Sequence, residues 1–245
     1  MPVASKARQL LEAGRVREAA QELAAVLRDR PTDVAGRTFL FELLCFSGEY
    51  DRAEKQLNIL ARGGKDAETG AIVYFAALHA EKTRHDLFAR ESFPATHPAK
   101  SPPGTLNGKP FASLRDADPD IGARLEVFAA GAYLWIPFEH IESIEIPTPE
   151  RLRDTLWTPA LVRTGPSFKG TELGEVLIPA IYPFSWKSDD ESVWLGRMTT
   201  WVGDDAGREY PSGQKILVAD DQEVPFLEIR SLTFASAQPA ASAAS

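Results

Sequence analysis

Asp116, Asp118 and Asp120, in the run Asp-Ala-Asp-Pro-Asp, set three carboxylates at alternate positions, the spacing with which a calcium loop begins. The rest of such a loop is missing. An EF-hand needs Gly at its sixth position and a bidentate Glu at its twelfth, where this chain has Ile121 and Val127, and Pro119 falls between the ligands. The run therefore reads as a capped turn ahead of the first strand of a β region. No buried strand is apparent before it, which also argues against a phosphotransfer aspartate. His79, His85, His97 and His140 lack the close pairing by which zinc enzymes set two ligands on one helix face, and no cysteines cluster. The segment from Gly104 to Gly108 and Lys109 falls short of a phosphate loop: three residues separate its glycines, and Pro110 stands where a Ser or Thr would hold magnesium. A nucleophile elbow and a dinucleotide-binding glycine pattern are both absent. Glu139, His140 and Asp154 remain as the one constellation on which a hydrolase or transferase site could be built. The expectation is a chain with no catalytic, cofactor or metal site.

Bulk properties narrow the partners. Apolar residues make up 44% and charged residues 25% of 245 positions, a composition that folds. A formal charge of −8 repels phosphate backbones and anionic membrane surfaces, so nucleic acid is not an expected partner. No stretch approaches the ~20 apolar residues that span a bilayer, nor do the first residues carry a signal-peptide core; a cytoplasmic location and no membrane insertion are expected. The single cysteine, Cys45, sits in an apolar run and reads as a small core hydrophobe. The five tryptophans, Trp135, Trp157, Trp186, Trp194 and Trp201, all fall in the C-terminal half, where burial is expected for most.

The elements that must position these residues begin with a repeat. Residues 10–19 overlay 44–53 without a gap, an offset of 34 residues that continues through Leu23 with Leu57 and Val26 with Leu60. This is the period of a tetratricopeptide helix-turn-helix unit. Gly14 and Gly48 are expected to end the first helix of each pair in a left-handed conformation, and small Ala19 and Ala53 let the second helix pack close. Pro31 stops one pair, with Thr32 or Asp33 capping the next helix. A third helix is suggested by Ala71, Tyr74, Phe75, Leu78 and Leu87, less regular in its second half. Two pairs and a fragment cannot bury both ends of a solenoid, so this last helix should dock on the C-terminal half of the chain.

Five prolines between Phe93 and Pro110 exclude a regular helix or central strand there, and the segment reads as a linker. Beyond it the period becomes extended, with strands expected at 125–128, 133–136, 142–146, 156–162, 175–181, 198–202, 215–219 and 224–234, the last two as a hairpin. The fold class is α+β: a helical repeat domain (1–92), a Pro/Gly-rich linker (93–112), a mainly β domain (113–235) and a disordered Ala/Ser tail (236–245).

The motifs of the second half resemble, in order, those of the ImpE/TagJ family of bacterial type VI secretion accessory proteins. They are Asp116-Ala-Asp-Pro-Asp-Ile-Gly, Trp135-Ile-Pro-Phe-Glu-His-Ile, Arg153-Asp-Thr-Leu-Trp157, Pro179-Ala-Ile-Tyr-Pro183, Arg197-Met-Thr-Thr-Trp201 and Gly213-Gln-Lys-Ile-Leu217. With the repeat, the resemblance covers about 8–92 and 113–234; the chain departs from the pattern between Phe88 and Pro110, where relatives carry more helical sequence. It implies a non-enzymatic cytoplasmic adaptor that binds the small subunit of the contractile sheath, the ClpV-type recycling ATPase, or both. By analogy with other tetratricopeptide repeats, the partner groove would be lined by Arg8, Leu11 and Glu12 in the first unit and Thr38, Glu42 and Phe46 in the second, and would suit an amphipathic helix.

Overall fold

The computed structural model describes residues 4–94, 98–204 and 207–235. Five helices come first: α1 (Ala4–Glu12), α2 (Val16–Asp29), α3 (Val34–Phe46), α4 (Tyr50–Ala61) and α5 (Lys65–Ala89). The first four follow the 34-residue period as two pairs. Gly14 and Gly48 hold φ of 78° and 70°, and the N–H of the next residue, Arg15 or Glu49, donates to the carbonyl of Leu10 or Leu44, closing each helix end. Asp33, not Thr32, caps α3, its Oδ1 accepting from the Gly36 N–H at 2.9 Å. α5 continues unbroken through the stretch where its apolar spacing fades. The cause is that Glu81, Arg84 and His85 are buried and paired there, so the core-facing stripe is partly charged.

The remainder is mainly β: β1 (Gly104–Leu106), β2 (Lys109–Phe111), β3 (Leu114–Asp116), β4 (Arg124–Ala129), β5 (Ala132–Pro137), β6 (Ile141–Glu145), β7 (Trp157–Thr164), β8 (Gly174–Pro179), β9 (Thr199–Gly203), β10 (Glu209–Gly213), β11 (Ile216–Ala219), β12 (Gln222–Pro225) and β13 (Ser231–Phe234), with a short α6 (Glu191–Trp194). Among the described residues, one antiparallel sheet runs in the order β2-β1-β13-β6-β7-β8-β4-β5, a second in the order β12-β11-β3, and β9 with β10 forms a ribbon. The fold is therefore α+β, helices followed by antiparallel sheets. No helix of the described residues is long and apolar enough to cross a membrane.

Three expectations change. The segment read as a linker contains the hairpin β1–β2, turned at Asn107 and Gly108 with φ of 48° and 79°, and β1 is an interior strand paired to β13. Pro110 is accommodated because β2 is the sheet edge, where a missing N–H is tolerated. The stretch 224–234 is not one strand. β12 returns from β11 through Asp220-Asp221 as the hairpin reading requires, but the single 3-10 turn Phe226–Glu228 then sends β13 into the large sheet. The aspartate turn comes after β3 rather than before the first strand, since β3 ends at Asp116 itself. The Ala/Ser tail and His97 lie outside the described residues.

Two cores result. One lies within the large sheet and the loops that close it, around Val127, Phe138, Ile144 and Ile178. The other is shared: Leu23, Leu44, Phe46 and Leu78 from the helices cluster with Phe128, Trp135, Trp157, Tyr182 and Trp194.

Candidate functional site

The joint between helices and sheets concentrates the buried charge. From α5, Glu81 accepts from the Trp157 indole N–H at 2.8 Å and pairs with Arg84 at 3.0 Å and with His85 at 3.1 Å. Arg84 forks onto Glu126 of β4 at 2.8 and 3.0 Å and donates a third bond to the Ile181 carbonyl. Lys215 bridges Glu126 to Asp116, and the hydroxyls of Tyr133 and Tyr182 donate to Glu126 and Asp116. Burial alone would raise the Glu81 and Glu126 carboxyls, but Arg84 beside both and Lys215 beside Glu126 hold each at about 2. Burial would likewise discharge Lys215, yet Asp116 and Glu126 keep it above the ordinary lysine range. Such ions cost several kcal/mol each to desolvate, and the pairing repays this only in fixed geometry. The network therefore holds α5 in one register on β4 and β5. Its acceptors are occupied by the chain's own donors, which leaves this cluster unsuited to proton transfer with a substrate.

The same closure decides the groove positions expected from the repeat. Phe46 is 2% and Glu42 8% exposed: Phe46 belongs to the shared core, and Glu42 accepts from Arg153 at 2.7 Å. These two are corrected from partner-facing to internal, because the chain's own β region fills the face they occupy. Leu11 is half-buried, and its carbonyl and that of Glu12 accept from the Arg197 guanidinium at 2.8 and 2.9 Å, capping α1. Arg8 and the Glu12 side chain are exposed, and Thr38 is half-buried with its hydroxyl on the Val34 carbonyl. Cys45 is buried, which pushes its thiol well above the ordinary range.

Glu139, His140 and Asp154 line none of the three described cavities. His140 Nδ1 is 2.8 Å from the Ser167 hydroxyl, while Asp154 accepts from the N–H groups of Glu150 and Arg151, so each has separate partners. Asp116 and Asp118 form successive turns, each accepting the N–H two residues on. Among the described residues no group of three His, Cys, Asp or Glu side chains is placed to hold a metal. Of the tryptophans, Trp135, Trp157 and Trp194 are buried, Trp186 is partly buried, and Trp201 is 46% exposed.

Two open surfaces flank the joint. A groove of about 880 Å³ lies between α5 and the sheet, lined by Ile72, Val73 and Ala76 on one side and Phe128, Pro159, Leu161 and Leu177 on the other, with Glu145, Glu175 and Arg230 as its charged groups. Ile72 and Val73 are 61% and 52% exposed. A cleft of about 440 Å³ opens at the far end of α5. Sequence reasoning passed over Ile72 and Val73, as well as Glu81, Arg84, Glu126 and Lys215. The available signal was Glu126 and Lys215 standing alone within apolar strand patterns.

Residues 108–233 match the family model described as ImpE protein, and residues 10–82 match a tetratricopeptide repeat model. The chain is 30% identical to the type VI secretion system accessory component TagJ of Pseudomonas aeruginosa, over 95% of this chain and 92% of that protein. The crystal structure of protein VPA1032 from Vibrio parahaemolyticus has the same fold, with a TM-score of 0.82 at 21% identity over 94% of this chain and 98% of that one. With half of its length matched by the family model and nearly all of it aligned to TagJ, the chain belongs to the ImpE family.

Proposed function

We propose that this chain is a non-enzymatic accessory component of a type VI secretion system, working in the cytoplasm as an adaptor. Its ligand is an amphipathic helix of a protein partner: the small subunit of the contractile sheath, the ClpV-type recycling ATPase, or each in turn. The likeness to TagJ and the tetratricopeptide repeat support an accessory role built on protein contacts. One observation carries the choice of surface. The inner face of the repeats is filled by the β region, whereas the groove beside Ile72 and Val73 stays open and apolar. Lying between a helix and a sheet with apolar walls, it suits a helix laid along it with one apolar stripe. Glu145 and Glu175 against Arg230 favour a ligand with basic flanks.

Calorimetry with the amino-terminal peptide of the sheath subunit, and with the ATPase's amino-terminal domain, tests this on the full chain. Ile72→Glu with Val73→Glu should weaken binding by ~2 kcal/mol or more, because both would be anchors in the groove. Binding that survives this pair but falls on Arg8→Glu or Glu12→Arg would move the site to the exposed end of α1. Binding of neither partner would remove the adaptor reading.

A further inference from the structure

The cleft at the end of α5 differs in kind from the apolar groove, and the two share no lining residue. Phe88, Phe93, Phe184 and Tyr210 give it aromatic walls, and Asp118 and Asp120 reach it from the turn after β3. Asp118 is only 4% exposed. Its Oδ1 accepts the Asp120 N–H at 2.9 Å, and among the described residues no donor reaches its Oδ2. Burial and then neighbouring Asp116 push its carboxyl up to about 7, so the chain leaves this charge poorly compensated. Two cations of the chain line the same cleft, and neither hydrogen-bonds Asp118. Arg208 pairs with Asp204 at 2.7 Å and Glu91 at 3.3 Å with its guanidinium 5.3 Å from the centre of the Tyr210 ring, and the Lys187 ammonium lies 4.3 Å from the centre of the Phe184 ring.

We propose that this cleft binds a guanidinium group, held by the Asp118 carboxylate with Asp120 beside it and with its flat face against the aromatic walls. A buried carboxylate with a free oxygen needs a cation that also donates hydrogen bonds. Guanidinium does both, stacks on aromatic rings and sheds water more readily than an ammonium. The group could arrive as an arginine side chain of a protein partner or as a small free guanidine. The site does not depend on the helix-docking groove.

The test is calorimetry of the full chain with N-acetyl-arginine amide, with agmatine, and with N-acetyl-citrulline amide as the uncharged isostere. At least one guanidine should bind at low-millimolar concentration or below, and the citrulline compound should bind roughly tenfold more weakly or not at all, the difference expected for a charge-assisted pair. Tighter binding of the arginine amide than of agmatine identifies a protein source, and the reverse a free metabolite. Asp118→Asn keeps the carbonyl that accepts from Asp120, so the turn is retained, and it should lower affinity roughly tenfold. Asp120→Asn, on a partly exposed side chain, should lower it severalfold. Absence of binding by both guanidines, equal binding of the citrulline compound, or affinity unchanged in both variants would overturn the proposal.

Discussion

The inner face of α1, α3 and α5 and the groove beside Ile72 and Val73 are both apolar surfaces of one helical region, yet the chain closes the first and leaves the second open. Buried ions separate them. The closed face carries Glu81 and Arg84 with Glu126, fully buried, and Glu42 with Arg153, largely buried. The open groove keeps its few charges, Glu145, Glu175 and Arg230, among its lining residues. A permanent joint desolvates its ions once, during folding, and gains a fixed register for that cost. A surface that engages and releases a partner would meet the cost at every encounter, so apolar anchors with solvated charges at the edge suit it better.

The largest effect should come from breaking the closed joint. Arg84→Met leaves Glu81 and Glu126 buried without their main counterion and should lower stability by ~3–5 kcal/mol in urea unfolding. A loss below ~1 kcal/mol would mean that water enters the joint and that the face is not sealed.

Gly48 and Gly14 allow a finer comparison, because both are left-handed helix ends but only one is pressed by the β region. A Cβ at Gly48 would stand 2.5 Å from the Trp186 ring, whereas at Gly14 the nearest atom is the Ser192 Oγ at 3.4 Å. Gly48→Val should cost more than ~1 kcal/mol and exceed Gly14→Val by a similar amount, the backbone penalty being common to both and the overpacking confined to one. Coincident melting curves for the two variants would show that Trp186 yields freely.

Titration should separate Asp118 from the joint's paired acids. Its folded pKa of about 7 lies above its ordinary value, so its contribution to stability is full in acid and is lost as pH rises toward and through 7. Glu81 and Glu126, held at about 2, have the opposite sign: their contribution is present above the ordinary glutamate range and is lost as pH falls toward 2. The melting temperature of the parent minus that of Asp118→Asn should therefore fall between about pH 4 and pH 7. A flat difference would mean that Asp118 is already ionised in the fold.

The smallest effect on stability belongs to the open groove. Ile72→Glu should change the unfolding free energy by no more than ~0.5 kcal/mol, since it alters an exposed position. A large destabilisation would show that the groove is closed in solution, and the contrast between the two faces would disappear.

Much of the helical region is legible without a structure. The 34-residue offset, Gly14 and Gly48 at the helix ends and Asp33 among the candidate caps all act within a few residues, and local geometry needs only local sequence. The strands around 125–128 and 133–136 and the turn at Asp220-Asp221 are legible for the same reason. Analogy with repeats whose inner face is empty puts Glu42 and Phe46 in a groove, and nothing in their spacing tells that another part of the chain will cover them.

The sequence by itself determined the two repeated helix pairs with their glycine ends, the approximate places of about half of the strands, and that the chain is helical first and β second, because periodicity and turn chemistry are properties of neighbours. Tertiary structure alone decided that β1 and β6 flank β13, that Arg84 meets Glu126 and Lys215 meets Asp116, and which apolar face stays open. Those pairings join residues 42 or more positions apart. Loop closure over such distances costs entropy that only the finished core and its satisfied charges offset, so no short window of sequence carries the signal.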